Sequence, residues 1–424
     1  MKICMFVLNN CLHDARVLKE AKTLADAGYD VRIIAKLDKD TQHFEQKDGF
    51  RIIRVYPLDI CIRNFRGLVT AQSRSSQVGL LSELASQSTT ARVREFLKSM
   101  LVRPFSPVLR PLHFLGLSYQ QWRAINNEPA DVYHSHDLST LLTGWFSKRR
   151  TAGKLVYDAH ELFTELAYLG RVESLLSKLL ERCLIHRADA VIVPGEFRAK
   201  YLCEKYGISP PAEIMNCPPL SREHPCSYSL RERLGIADTV PVIVYTGGLQ
   251  RGRGLENLIL SAPHLDRGII VLMGWGGLEH ELRERVREEG LEEKVLFAEP
   301  VPPEDLVDHI ASASIGVVIY QNTCLNSFYA CSNKLFEYIH AGLPVVSSDF
   351  PVLKNIVKGY QLGETFDPED PKDIAAAINY ILSDKRRYNK MRRNALEAAK
   401  IFNWENESKK LLALYESLGI STYD

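Results

Sequence analysis

The sequence predicts an α/β protein made of two doubly wound, largely parallel-sheet domains, and three observations predict it. The chain has 424 residues, too many for one ordinary core, and it divides naturally into two domains of about 200 residues each. Short apolar runs alternate with amphipathic stretches along most of its length, the βαβ rhythm that gives parallel strands and right-handed crossovers. Halfway along lies the proline-rich, turn-prone stretch Asn216-Cys-Pro-Pro-Leu-Ser-Arg-Glu-His-Pro-Cys226, a candidate hinge.

In the first half, Lys2–Leu8 reads as a buried strand and His13–Ala27 as a helix. Val17, Leu18, Ala21, Leu24 and Ala25 share one face of that helix, and Gly28 stops it. Val31–Ala35 and Phe50–Tyr56 are the next strands. The rhythm returns at the strand Asp131–His136, a helix from about 138 to 148 and the strand Lys154–Asp158. A helix Val172–Ala188, a strand Ala190–Pro194, a helix Glu196–Tyr206 and a short strand Glu213–Met215 follow. Open parallel sheets bind ligands beyond the carboxyl ends of their strands. On that edge lie the turn Asn9–His13, with Asp14 directly after it, and the pairs His136-Asp137 and His160-Glu161.

Between residues 61 and 127 nine Lys or Arg face only Glu83 and Glu95, a local net charge of +7. Val93, Phe96, Leu97, Met100 and Leu101 interleave with the charges at helical spacing. Two readings stay open: a basic helical insertion packed on its own domain, or an amphipathic face laid on an anionic membrane and a lipid-linked acceptor.

The second half repeats the alternation. Its strands are Pro241–Thr246, Gly268–Met273, Val295–Phe297, Ile315–Tyr320, Pro344–Ser347 and Leu362–Phe366, with helices at about 372–382 and 385–400 and a last one at Trp404–Leu418. One helix carries the chemistry. It runs from about Ser332, a plausible N-cap, to His340, and Gly342 ends it. Its first turn offers backbone N–H groups and the positive end of the helix dipole, and Lys334 adds a full charge. Glu337 follows one turn later on the same side, where a carboxylate suits a ribose diol. An anion receptor beside a diol receptor fits a nucleoside diphosphate.

The formal charge of +1 and apolar fraction of 46% describe an ordinary globular protein and speak against a dedicated nucleic-acid binder. Nine cysteines without a C-x-x-C pair favour reduced thiols in a cytoplasmic protein over disulfides or a zinc site. The start, Met1–Asn9, reads as a strand and not a secretory signal. Asp38-Lys-Asp40 matches a D-x-D metal signature, yet three such residues in a polar loop are common by chance.

Asn333-Lys334-Leu335-Phe336-Glu337-Tyr338, followed by Ala341-Gly342-Leu343-Pro344-Val345, resembles the donor-site signature of retaining glycosyltransferases of the GT-B fold, notably family 4. A second stretch agrees: Tyr245-Thr-Gly-Gly-Leu-Gln-Arg-Gly-Arg253-Gly254 resembles the family's strand, glycine turn and basic residue. The resemblance covers nearly the whole chain and is weak from about 60 to 127. It implies two Rossmann-like domains facing across a cleft: residues 1–220 on the acceptor side, 221–402 on the donor side, and a helix in 403–424 crossing back. It also implies a metal-independent, retaining transfer from a nucleotide sugar, most simply a UDP-sugar, to a glycan or lipid-linked acceptor in cell-surface polysaccharide synthesis.

By resemblance Arg253 takes the place of the cation that grips the donor diphosphate. Arg253 and Lys334 are expected to flank the β-phosphate, with Gly247, Gly248, Asn333 and Leu335 beside it and Glu337 on the ribose. With two cations and the helix start in place, no metal and no other cofactor is expected. His136 resembles a histidine placed near the transferred sugar, and Asn9, Asp14, Asp137, His160 and Glu161 complete the acceptor-side candidates. Each has a plainer reading: a flexible glycine loop at 247–254, a solvated Lys334, an ion-paired Glu337, a structural His136. Two neighbouring functions also stay open, a nucleotide-binding subunit without activity and an epimerase or phosphorylase on the same fold. The chain departs from the family pattern at Tyr329, where many members carry a glutamate eight residues before the one matched by Glu337.

Overall fold

In the computed structural model, residues 1–56, 116–125, 128–220 and 228–420 are described. The basic segment expected at about 60–127 lies outside them except for 116–125, as does the hinge from residue 221 to 226. Contacts divide the chain into two units, one of Met1–Ala159, Tyr168–Val191 and Leu418–Asp424, the other of His160–Ala167 and Ile192–Ser417.

In the first unit the apolar runs become β1 (Lys2–Phe6), β2 (Asp30–Lys36), β4 (Phe50–Val55), β5 (Val132–His136) and β6 (Lys154–Asp158). Together with β3 (Phe44–Lys47) they lie in the order β3-β4-β2-β1-β5-β6. β1 pairs in parallel with β2, Ile3 opposite Val31, and with β5, Ile3 opposite Val132. β3 was not expected. It pairs antiparallel with β4 across a turn in which Asp48 and Gly49 both take positive φ, 45° and 84°, the geometry of a tight hairpin.

The first helix spans Ala15–Asp26, and the Asp14 carboxylate caps it by accepting from the Val17 N–H at 3.4 Å. Its buried face carries Val17, Ala21 and Leu24, and also Arg16 and Glu20. The helix after β5 runs from Leu138 to Thr151, and another runs from Arg171 to Leu184. β7 (Ala190–Val193) lies at the boundary of the units and pairs in parallel with β8 (Ala212–Glu213).

The second unit holds β9 (Val242–Thr246), β10 (Ile269–Met273), β11 (Val295–Ala298), β12 (Ile315–Val318), β13 (Val345–Ser348) and β14 (Gly363–Phe366). Their order is β11-β10-β9-β12-β13-β14, all in parallel. Such strands are apolar on both faces because helices cover both. Val242, Val244 and Val271 pack with Phe336 and Ile339 on one side, while Ile243, Tyr245 and Ile270 pack with Leu255, Leu258 and Ile374 on the other.

The helix Asn333–His340 is locked to this sheet by Tyr338. Its hydroxyl donates to the Val317 carbonyl at 3.3 Å and accepts the Thr246 N–H at 2.9 Å. Gly316 makes room for the ring, since a Cβ there would come within 2.3 Å of it. The last helix, Trp404–Ser417, belongs to the second unit: Trp404 N–H donates to the Pro218 carbonyl and Met215 N–H to Glu407. Residues 418–420 after it join the first unit, where the Tyr29 hydroxyl donates to the Ile420 carbonyl at 2.8 Å. Among the described residues no helix is long and apolar enough to cross a membrane.

Candidate functional site

In the second unit β9 feeds the glycine turn at its carboxyl end. The Gly247 N–H donates to the Met273 carbonyl and the Leu249 N–H to the Trp275 carbonyl, both at 2.9 Å, so the turns after β9 and β10 lie against each other. Gly247 takes φ +117°, and a Cβ there would lie 2.8 Å from the Lys334 Cε. The absent side chain is what lets the lysine stem lie over the turn.

Arg253 and Lys334 meet over one aromatic ring. The Arg253 guanidinium lies 4.6 Å and the Lys334 ammonium 5.4 Å from the Tyr320 ring centre. Lys334 is also 5.2 Å from the ring of Tyr245, whose hydroxyl donates to the Gly248 carbonyl at 3.0 Å. The Gln321 N–H donates to the Gly252 carbonyl at 3.0 Å, tying the basic loop to the end of β12.

Both cations are half-buried. Burial opposes their charge, yet Tyr320 and Tyr245 outweigh it and raise the pKa of each. Glu337 adds to the hold on Lys334 and Glu161 to that on Arg253. The Tyr320 phenol moves the opposite way: burial pushes it up, but Lys334 and then Arg253 bring it down to about 8.

Ser332 occupies the N-cap position in extended conformation but makes no side-chain capping bond. Its hydroxyl accepts from Tyr320 at 3.2 Å instead, so the expected cap residue holds its position without the capping bond. Asn333 is exposed and Glu337 half-buried. The Leu335 side chain, expected beside the donor, lies wholly in the core, and its N–H donates to the Ser332 carbonyl.

His160 and Glu161, expected on the acceptor side, belong to the loop His160–Ala167 of the same unit. Arg198 pins this loop by donating to the His160 carbonyl, to Asn326 and to the Tyr329 carbonyl. The Tyr329 ring, at the departure from the family pattern, stacks on Phe197 with centroids 5.8 Å apart.

The first unit holds a separate cluster at the ends of β5 and β6. The His136 Nδ1 lies 3.5 Å from an Asp158 carboxylate oxygen, and its ring stacks on His134 with centroids 4.4 Å apart. Arg16 grips Asp158 through Nε at 2.8 Å and Nη2 at 2.9 Å and meets Glu20 at 3.0 Å. All five side chains are buried. Burial opposes the Arg16 charge, but Asp158, Glu20 and Asp137 together raise its pKa.

Ligand atoms of Glu20, His134, His136 and Asp158 lie within 4.8 Å of one another, a spacing that suits a cation. The Arg16 guanidinium already meets that charge between the two carboxylates, so the set fits a clamped histidine better than a metal shell. Asp137, with φ 63°, donates its N–H to the Asp158 carbonyl. Asn9 and Asp14 build the turn after β1: Asn9 accepts from the Cys11 N–H and donates to Asp14 at 2.7 Å.

Sequence comparison identifies the family. Residues 15–218 match the family described as Glycosyltransferase Family 4, and residues 228–398 match Glycosyl transferases group 1, so that together they take in most of the chain. The chain is a GT-B glycosyltransferase resembling family 4. This transferase is 27% identical over 310 residues to D-inositol 3-phosphate glycosyltransferase of Nocardia farcinica, covering 68% of this chain and 66% of the relative. It is 28% identical over 311 residues to the protein of that name from Corynebacterium urealyticum, covering 68% of this chain and 72% of the relative. Among solved structures, the fold matches sucrose-phosphate synthase of Thermosynechococcus elongatus (TM-score 0.75, 19% identity, 99% of each chain). It also matches Anabaena HepE in complex with UDP and glucose (TM-score 0.68, 16% identity, 98% of this transferase and 100% of that chain).

Tyr245, Tyr320, Arg16, Glu20, His134 and Asp158 were not singled out from the sequence. Arg16 and Glu20 carried a readable signal, two opposite charges four apart on the face that also bears Val17, Ala21 and Leu24. Tyr320 carried none beyond its place at the end of an apolar run.

Proposed function

We propose that this transferase moves a sugar from a UDP-sugar to a glycan or lipid-linked acceptor of cell-surface polysaccharide, with retained anomeric configuration and without a metal. The observation that carries the donor reading is the pairing of Arg253 and Lys334 over Tyr320 at the mouth of the glycine turn. As the anomeric bond breaks, the leaving diphosphate gathers negative charge. Two preorganised cations and a helix start meet that charge better in the transition state than in the ground state. Glu337, one turn along the helix from Lys334, takes the ribose diol. The UDP named in the HepE complex supports uracil as the base.

Acceptor attack on the face the diphosphate leaves, with the phosphate helping to take the acceptor proton, gives retention. His136, held by Asp158 and through it by Arg16, hydrogen-bonds a hydroxyl of the transferred sugar. A donor screen with lipid-linked and soluble acceptors, with the product's anomeric form determined, tests this; an inverted product or transfer that requires a divalent ion overturns it.

The protein works in the cytoplasm at the inner membrane face. Val172, Leu175, Leu176 and Leu179, which stand exposed along the helix Arg171–Leu184, support that placement alongside the basic segment at 60–127.

A second reading, a nucleotide-binding subunit without activity, draws on Tyr329, whose stacking on Phe197 puts an aromatic ring where the family pattern implies a glutamate. UDP binding without transfer or hydrolysis across a broad donor panel would favour it.

A further inference from the structure

Tyr320 lies against both cations of the donor site. Its ring lies beneath Arg253 at 4.6 Å and Lys334 at 5.4 Å. Its hydroxyl donates to Ser332 at 3.2 Å, directly before the helix Asn333–His340. Its backbone is fixed from both sides by Ser348, whose hydroxyl accepts the Tyr320 N–H and donates to the Tyr320 carbonyl, each at 2.9 Å. These two bonds fix the main chain from which the ring projects.

Two cations held side by side repel each other, and an anionic oxygen next to both relieves that repulsion. The Tyr320 hydroxyl, bonded to Ser332 at the helix start, can supply such an oxygen.

Resting on the donor-site reading above, we propose that Tyr320 is the resident counter-group of this site: its ring carries the two cations, and its hydroxyl, as phenolate, holds the anion position that the diphosphate takes over, so that donor binding is coupled to uptake of one proton by Tyr320. The balance is simple. A proton from solvent enters with the nucleotide, converts phenolate to phenol and leaves again when the nucleoside diphosphate departs. The phenol then stays as a neutral donor to Ser332.

The phenol's position near pH 8 agrees with this, since Lys334 and Arg253 bring it down against burial. The groups facing Tyr320 are Arg253 from the loop after β9 and Lys334 from the helix, with Tyr245 of β9 on the far side of Lys334 and Glu337 and Glu161 acting through the cations. The sign follows from linkage: the bound state holds more protons, so nucleotide affinity falls as pH rises through the free-state pKa.

The test is calorimetry of UDP binding to the full chain at pH 8 in two buffers of different ionisation heat, with Kd followed from pH 7.5 to 9. Starting from a free-state value of about 8, wild type should take up about half a proton and lose roughly eightfold in affinity over that range. Tyr320→Phe keeps the ring and should show neither effect. Absorbance at 295 nm gives an independent readout: wild type minus Tyr320→Phe should show one phenol titrating near 8, shifted upward in Lys334→Met. Wild-type binding without proton uptake, or uptake that survives in Tyr320→Phe, overturns the coupling while leaving the donor site in place. Failure of both UDP and pyrophosphate to bind wild type overturns the donor reading and the coupling with it.

Discussion

Lys334→Ala removes one positive charge from the donor site and little else. The ammonium lies 5.2 and 5.4 Å from the rings of Tyr245 and Tyr320, and its stem fills the space that Gly247 leaves open. An ammonium about 4–5 Å from a phosphoryl oxygen, at an effective dielectric of about 20, contributes roughly 3–4 kcal/mol. Because kcat/KM is referenced to free enzyme and free donor, it registers the whole transition-state contact, and a loss of about 3 kcal/mol, or roughly 150-fold, is expected. Stability should move far less, because a half-exposed cation–π contact is worth about 0.5–1 kcal/mol. Nucleotide release at saturating acceptor, beside a thermal melt, measures both. A kcat/KM within tenfold of wild type refutes the charge-stabilisation reading, and a fall in stability that matches the loss of activity assigns Lys334 to structure instead.

Glu337→Gln keeps the size of the side chain and removes a charged acceptor worth about 1.5–3 kcal/mol per hydrogen bond. UDP should bind at least tenfold more weakly, while 2′,3′-dideoxy-UDP should bind both proteins alike; equal losses for the two nucleotides would remove the ribose from the account. In the first unit, Arg16→Met strips the cation from Asp158 and Glu20 and should destabilise the protein by about 3–5 kcal/mol. The damage should shrink as pH falls and the carboxylates take up protons, and a melt that is equally depressed at pH 5 and pH 8 would contradict this.

The second unit was legible because two features coincide there. Its strands are short, β-branched and apolar on both faces, and they alternate with helices, which predicts a parallel sheet. The helix Asn333–His340 begins and ends where capping and glycine signals place it. Side-chain direction was less legible. Leu335 sits one residue from Lys334 in sequence, but a step of about 100° around the helix turns it into the core with Phe336 and Ile339; the helical spacing of these three carries that signal, while the family motif groups Leu335 with the donor residues. Ser332 read as a cap because serine suits the position, yet the nearby Tyr320 hydroxyl claims it, a tertiary partner that no local rule anticipates.

The hairpin of β3 and β4 was a different kind of miss. Asp48-Gly49 is a strong local turn signal, but the charged, half-exposed β3 lacks the apolar alternation that would have drawn attention to it. His160 and Glu161 follow β6 of the first unit in sequence and were grouped with it. Arg198 instead anchors their loop within the second unit.

The two charged clusters show why a binding cation is best kept on an aromatic face. Arg16 is matched by the carboxylates of Asp158 and Glu20 at hydrogen-bond distance. An arriving anion would have to displace those carboxylates, so the cluster suits orientation of His136 and not capture of a ligand. Arg253 and Lys334 rest on Tyr320 and Tyr245. A ring quadrupole steadies a cation without neutralising it, and the field remains available to a phosphate. A carboxylate in the place of Tyr320 would hold the same two cations more tightly and bind diphosphate worse. A phenol, neutral or charged according to what else occupies the site, can do both tasks in turn, which is why the protonation of Tyr320 and the affinity for nucleotide should be read together.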